Sequence, residues 1–105
     1  MVVRAWRGYG RVTDAEAYPR HLLQSVQPAL ERLDGFRGLY LLRRQHAGEI
    51  EFLVLTLWDS MEAVRAFAGE SPERAVVEAE ARAALVRFDE AVSHFEVLAA
   101  PELAS

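Results

Sequence analysis

Histidine and arginine are the residue types in this sequence that could perform acid–base or anion chemistry. The three histidines, His21, His46 and His94, lie far apart in the chain and lack the spacing of metal ligands, so no metal site is expected. The chain has no cysteine, which excludes disulfides, thiolate catalysis and cysteine-ligated metals. A site built on histidine would therefore require the fold to gather residues that are distant in sequence.

Length and composition are typical of one globular domain. The 105 residues are 51% hydrophobic and 27% charged, which is enough apolar material for one core. Sixteen acids against twelve bases leave a formal charge of −4, which disfavours a nucleic-acid partner. No apolar run reaches the length of a signal peptide or a membrane span, so we expect a cytoplasmic protein without a membrane partner. We expect one domain over residues 1–98 and a poorly ordered tail over residues 99–105.

The elements that would position reactive side chains begin with a strand and an interrupted helix. Alternation from Val2 to Tyr9 predicts the first strand. Thr13, with Glu16 three residues later, predicts a capped helix start. The apolar positions of this helix are Ala15, Tyr18, Leu22, Val26, Ala29 and Leu33. Pro19 and Pro28 should kink or divide it, with the break expected at Pro28.

A hairpin follows the first helix. The Asp-Gly turn at residues 34–35 leads into a strand over residues 36–45, and a glycine-containing loop leads into a strand over residues 50–58. The second of these strands is apolar on both faces. Such a strand needs cover above and below the sheet.

Two more helices and a strand complete the pattern. Asp59, with Glu62, predicts a capped helix that ends at Gly69. A further helix is predicted from Ser71 to about Phe88, because serine, proline and glutamate favour a helix start. Alternation over residues 91–98 predicts the last strand.

The order β-α-β-β-α-β predicts a ferredoxin-like α+β fold, an antiparallel sheet with helices on one face. The helices of so short a chain can cover one face, so the other face is expected to be bare. Strand parity places six residues on that bare face: Arg4, Trp6, Tyr40, Thr56, Trp58 and His94. Because monomers avoid large exposed apolar patches, we predict a homodimer that closes sheet against sheet.

Four stretches of the sequence carry a family resemblance. They are "WRG" at residues 6–8, "DGFRGLYLLRR" at 34–44, "EFLVLTLWDSMEAVRAFAG" at 51–69 and "FDEAVSHFEV" at 88–97. Together they resemble the antibiotic biosynthesis monooxygenase domain of the dimeric α+β barrel superfamily. The resemblance covers nearly the whole chain, and the strand-to-helix block at 51–69 is its most specific part.

The resemblance implies a dimeric barrel and oxygenation of a planar aromatic or enolic small molecule without a cofactor. In that reaction a base removes a proton from a phenol or enol, and the anion passes an electron to oxygen. A hydroperoxide then collapses to a quinone, so the substrate is its own reductant. Such a site needs an apolar pocket, a base that titrates near neutral pH and donors for the developing oxyanion.

The implied reaction assigns roles to the residues of the predicted bare face. His94 is the predicted catalytic base, because it is the histidine on a strand position facing the pocket and histidine titrates near neutral pH. Arg4 is the predicted catalytic partner that holds an anionic oxygen, and the two tryptophans could stack on a planar ring. The substrate-binding candidates are Trp6, Tyr40, Thr56 and Trp58.

Each role has a structural alternative. His94 could be a hydrogen-bonded structural residue, Arg4 could pair across the dimer with Glu96 or Glu51, and Trp58 could fill the core. The side chains expected to be solvated are Arg43, Arg44, Glu78, Glu80, His21 and His46.

Relatives that degrade heme resemble this fold as well. Their reaction depends on an asparagine, a tryptophan and a histidine, and the matching places here hold Trp6, Phe67 and a residue near Val77. Heme chemistry is therefore not expected, and no cofactor is predicted. Two other functions stay open: a non-catalytic dimer that binds a small ligand or is associated with stress, and an oxygen-independent isomerase or cyclase.

Overall fold

An antiparallel sheet is the frame of the molecule. The computed structural model describes residues 1–101, and their strands are β1 (Val2–Arg11), β2 (Phe36–His46), β3 (Glu49–Trp58), β4 (Arg87–Phe88) and β5 (Ser93–Glu96). The sheet runs β2-β3-β1, and both β4 and β5 pair with the remaining edge of β1. This is the strand order of a ferredoxin-like α+β fold, which confirms the predicted fold class. Residues 102–105 of the predicted tail lie outside the described residues.

Helices pack on one face of this sheet. They are α1 (Ala17–His21), α2 (Gln27–Leu30), α3 (Met61–Ala68) and α4 (Ala79–Ala84). A 3-10 turn (Val12–Asp14) precedes α1, and a π-helical turn (Leu22–Val26) joins α1 to α2. No helix of the described residues is long and apolar enough to cross a membrane.

The break expected at Pro28 is wrong, because Pro28 lies within α2 and the irregularity of the first helix, a π-helical turn at Leu22–Val26, precedes it. Pro28 has no backbone N–H, and its ring would crowd the carbonyl four residues earlier in a continuous α-helix. The π-helical turn widens the backbone just before it, and the N–H of Gln27 donates to the carbonyl of Leu22. After this turn Leu30 is buried, whereas the predicted core position Leu33 is 38% exposed.

Both predicted helix caps are wrong. Thr13 lies in the 3-10 turn, which has no side-chain cap, and α1 begins four residues later. The cap of α3 is Ser60, whose hydroxyl accepts from the N–H of Ala63 at 3.2 Å. Asp59, the predicted cap, instead forms an ion pair with Arg37 of β2.

The predicted helix from Ser71 to Phe88 is also wrong, because only α4 within it is helical. Residues 69–78, the covering segment, are mostly extended or turn-like and run across the sheet edge. Ala75 N–H donates to the carbonyl of Glu90, and Val92 N–H donates to the carbonyl of Glu73. The β-branched pair at residues 76–77 favours such extended backbone over a helix. The short strand β4 lies where the helix was expected to end.

The predicted content of the bare face is wrong as well. In β3 the alternate residues Phe52, Val54, Thr56 and Trp58 are buried, and they pack with residues of the helices. Arg4 pairs with Thr56 on one side and with His94 on the other, so this row lies beneath the helices. Five of the six predicted residues do share one face, but a strand that is apolar on both faces does not reveal which face the helices cover.

Tyr40 lies on the opposite face from the other predicted site residues. A β-bulge between Phe36 and Gly38 shifts the register, so that Phe36 pairs with Trp58 whereas Tyr40 pairs with Leu55. One inserted residue exchanges the two faces of every residue after it. Gly38 accommodates the bulge with a φ of 140°.

Candidate functional site

A cavity of about 70 Å³ lies between the sheet and the helices, under the covering segment. Its wall contains members of both core clusters, one built around Phe52 and the other around Trp58. Its walls combine the sheet residues Arg4, Trp6, Val54, Thr56 and Val92, the helical residues Tyr18, Leu22, Val26, Leu30, Phe67 and Ala81, and residues 75–78. Most of these side chains are apolar, and the polar ones come from four different parts of the chain.

Arg4 fixes the covering segment to the sheet. Its side chain rises from near the start of β1, and the residue is only 5% exposed. Nη2 donates to the carbonyl of Arg74 at 2.8 Å, and Nη1 donates to the carbonyl of Pro72. Burial lowers the pKa of Arg4. The two carbonyls supply the hydrogen bonds that a buried cation requires. Within the chain, Glu51 contacts Arg7 and Arg44.

His94 stands beside Arg4 and outside the cavity wall. Its Nε2 accepts from Arg4 Nη1 at 3.0 Å, which assigns the ring proton to Nδ1 in the neutral imidazole. Burial and then the charge of Arg4 lower the pKa of His94. The lone pair that would act as a base is thus directed at a guanidinium.

Of the predicted substrate-binding residues, Trp6 and Thr56 line the cavity, whereas Trp58 does not. Trp6 donates from Nε1 to the carbonyl of Asp89 at 2.6 Å, which fixes the orientation of its ring. Trp58 is fully buried, stacks on Phe67 with ring centroids 5.3 Å apart and donates to Thr56 Oγ1 at 2.9 Å. Core packing thus accounts for every contact of Trp58.

Sequence reasoning missed two polar residues of the cavity. Tyr18 was placed in the helix core, and its ring does pack on Phe52 with centroids 5.2 Å apart. Burial, followed by the charge of Glu78, raises the pKa of Tyr18, which keeps its hydroxyl a donor. Glu78 was expected to be solvated. No local signal could place it in the wall, because its segment was predicted to be helical.

The expectation that His21 is solvated is wrong. Its side chain is 9% exposed, and Nε2 lies 3.1 Å from Glu78 Oε2 while Nδ1 lies 3.1 Å from Glu80 Oε2. His21 and Glu78 also line an outer groove of about 340 Å³ between α2 and α3. The groove and the cavity share Val26, Leu30, Phe67 and Glu78 in their walls.

The family model of the antibiotic biosynthesis monooxygenases matches residues 11–79, which is more than half of the chain. The chain belongs to this family. The matched region contains the hairpin, α3 and most of the cavity wall. No match was found among curated proteins.

Solved structures of similar fold span the whole domain. A candidate antibiotic biosynthesis monooxygenase from Bacillus cereus is 15% identical with a TM-score of 0.67, and each chain is covered over 97%. A second candidate from Deinococcus radiodurans is 17% identical with a TM-score of 0.61, and both chains are covered completely. The heme degrader MhuD of Mycobacterium tuberculosis, solved with two hemes in its active site, is 22% identical with a TM-score of 0.62 over 97% of this chain and 100% of its own. These likenesses establish the fold.

The residues of the cavity wall do not fit a heme. Trp6, Phe67 and Val77, which stand at or near the places that the family resemblance compared with the heme-degrading site, all line the cavity, and among the described residues its wall contains no histidine, cysteine or methionine that could be an axial ligand.

Proposed function

We propose that this member of the family is a cofactor-independent monooxygenase-like enzyme that acts on a planar aromatic or enolic small molecule. The observation that carries the proposal is the cavity, where the apolar surfaces of Trp6, Phe67 and Val54 surround the hydroxyls of Tyr18 and Thr56. Apolar walls suit a flat ring, and a few converging polar groups can orient its oxygen. Tyr18, which stays protonated, can donate to an oxyanion that develops on the substrate.

Arg4 and His94 have linked roles in this proposal. The Arg4 guanidinium holds the covering segment and contributes positive charge at the cavity wall. Because His94 uses its lone pair to accept from Arg4, we assign it to positioning Arg4 rather than to taking the substrate proton. The prediction that His94 is the base is thereby replaced by a positioning role.

The substrate must enlarge the cavity when it binds. A volume of about 70 Å³ cannot hold a fused ring system, whereas the adjoining groove adds about 340 Å³ on the other side of shared walls. Displacement of the covering segment would join the two spaces, because residues 75–78 form that side of the cavity and Glu78 borders both.

The reaction is tested with anthrone in air-saturated buffer without added metal or cofactor. One oxygen atom enters the substrate and the other leaves as water, so anthrone and oxygen give anthraquinone and water in equal amounts. We expect the protein to accelerate oxygen uptake and Ala75→Phe to abolish the acceleration by filling the cavity. Ala66→Phe makes the same change on the exposed side of α3 and should retain it. Saturable binding without turnover would instead support a ligand-binding dimer, and turnover without oxygen would support an isomerase or cyclase.

We also propose that two copies pair through the uncovered sheet face. Its side chains include Tyr40 and Leu42, 47% and 44% exposed, Phe95, 58% exposed, and Leu55 between them in the sheet. This apolar surface suits a second sheet of the same kind, packed face to face. Light scattering should give a dimer, Leu55→Arg should give a monomer, and Leu23→Arg, at an exposed position on the helical side, should leave the dimer intact.

A further inference from the structure

A histidine lies between two carboxylates beside the cavity. The side chains of Glu80, His21 and Glu78 are 79%, 9% and 48% exposed, so the imidazole is the buried member between two accessible acids. Each ring nitrogen lies 3.1 Å from an Oε2 atom, Nε2 from that of Glu78 and Nδ1 from that of Glu80. Nδ1 is shielded from solvent and makes no hydrogen bond. Because an ionised carboxylate can only accept, the hydrogen bond at the other nitrogen runs from Nε2–H to Glu78 and orients its carboxylate.

Of these three residues, Glu78 is the one that lines the cavity. Within residues 1–101 it is the acidic residue of the cavity wall, and it borders the outer groove as well. Its charge acts on the hydroxyl of Tyr18, whose pKa is raised mainly by burial and further by Glu78. A substrate oxygen placed near Tyr18 would therefore also lie within the field of the Glu78 carboxylate.

We propose that Glu78 is the base that accepts the substrate proton and that His21 is a positioning residue that holds its carboxylate. The inference rests on the proposed function, for which it names the base and the substrate class: a molecule with an acidic O–H, or an activated C–H beside a carbonyl. His21 is the last residue of α1, and the two glutamates lie at the start of α4. The fold brings these two helices into contact.

The proposed step moves one proton and leaves all electrons on the substrate. The substrate C–H or O–H bond breaks, its electron pair stays as an enolate or phenolate, and the proton forms a bond to a Glu78 carboxylate oxygen. Glu78, whose side chain is 48% exposed, then releases this proton to water, while Nε2–H of His21 donates to the carboxylate and holds it in place. No oxidant is needed for this step, so it can be measured in the absence of oxygen.

Hydrogen exchange of anthrone in heavy water under nitrogen isolates the proton transfer. We expect the protein to accelerate deuterium incorporation at the methylene carbon of anthrone, as measured by mass spectrometry. Glu78→Gln keeps the shape of the side chain and should lower the protein-catalysed rate by about 100-fold or more, which is the range of general-base catalysis. Glu78→Asp should recover part of this loss, and Glu62→Gln, an exposed acid on α3, should leave the rate unchanged.

A second variant separates positioning by His21 from simple packing. His21→Ala should slow exchange by roughly tenfold, because the Glu78 carboxylate loses the donor that orients it, and added imidazole should restore the rate. Imidazole should not restore Glu78→Gln, because that variant lacks the proton acceptor. An unrescued loss in His21→Ala would overturn the positioning role, and full exchange activity in Glu78→Gln would overturn the base assignment.

The exchange experiment also distinguishes failure of this inference from failure of the proposed oxygenation. Oxygen uptake by the wild-type protein that is undiminished in Glu78→Gln would overturn the base assignment and leave the monooxygenase proposal standing. Exchange that depends on Glu78, with no oxygen uptake in air, would uphold the base and overturn the monooxygenase proposal. Absence of both activities would overturn both.

Discussion

Replacement of Arg4 by methionine should destabilise the protein and release the covering segment. Methionine keeps much of the length of the side chain and removes the cationic donors to the carbonyls of Pro72 and Arg74. A hydrogen bond from a charged donor contributes about 1.5–3 kcal/mol net. Two such bonds are partly offset because the variant no longer has to bury a guanidinium. We therefore expect a loss of about 2–4 kcal/mol in the free energy of unfolding.

Urea denaturation at one fixed protein concentration measures this loss, because the stability of a dimer depends on concentration. With a urea dependence of about 1.5 kcal/mol per molar, the midpoint should fall by roughly 1.3–2.7 M. Hydrogen exchange should quicken at the amides of Ala75 and Val92, which tie the segment to its neighbours. Arg43→Met, which removes an exposed pair with Glu16, should change stability little. Equal stability losses for Arg4→Met and Arg43→Met would refute the reasoning.

Three further substitutions probe the surroundings of the cavity. Thr56→Val should lower the free energy of unfolding by about 1–3 kcal/mol, because it leaves the buried Trp58 N–H without an acceptor. A smaller loss of stability for Thr56→Val than for Thr56→Ser would contradict this. Burial and the charge of Arg4 lower the pKa of His94 from 6.5, so the folded state favours the neutral imidazole. The free energy of unfolding should therefore be full above pH 6.5 and decline as the pH falls below it. In urea titrations, His94→Asn should flatten this pH dependence. Gly35→Ala should lower the stability by roughly 1–3 kcal/mol, since φ is +83° and the new Cβ would lie 2.6 Å from a Cβ of α3. Thermal denaturation measures this loss, and an unchanged melting temperature would count against the prediction.

The strand order and the two apolar faces of β3 could be predicted from the sequence, because alternation along a strand directly reports its two faces. The choice between the faces could not, since Phe52 and Leu53 are both apolar and only the packed helices distinguish them. Tyr40 was assigned to the wrong face for a different reason. The bulge near Gly38 inserts one residue, and the local sequence contains no clear sign of where the register shifts.

The grouping of the candidate site residues could be predicted in part, for similar reasons. Arg4, Trp6 and Thr56 line one cavity, as their shared parity requires. The contacts of His21 with Glu78 and Glu80 span 57 and 59 positions of chain, and they depend on an extended segment where a helix was predicted. Helical periodicity carried no information about a segment that tertiary hydrogen bonds hold in extended form.

Cavity and predicted dimer surface lie on opposite faces of the sheet. Arg4 and Trp6 face the helices, whereas Leu55 and Tyr40 face the uncovered side. A variant that only breaks the dimer should therefore keep all the cavity side chains in place. This separation allows catalytic and assembly defects to be assigned independently.

Incorporation of heavy-isotope oxygen gas into the product of anthrone oxidation tests the proposed function most directly. The proposed function predicts that metal-free protein forms anthraquinone with one labelled oxygen atom, and that Ala75→Phe loses this activity while Ala66→Phe retains it. Product whose new oxygen comes from water, or a rate that Ala75→Phe leaves unchanged, would contradict oxygenation in this cavity.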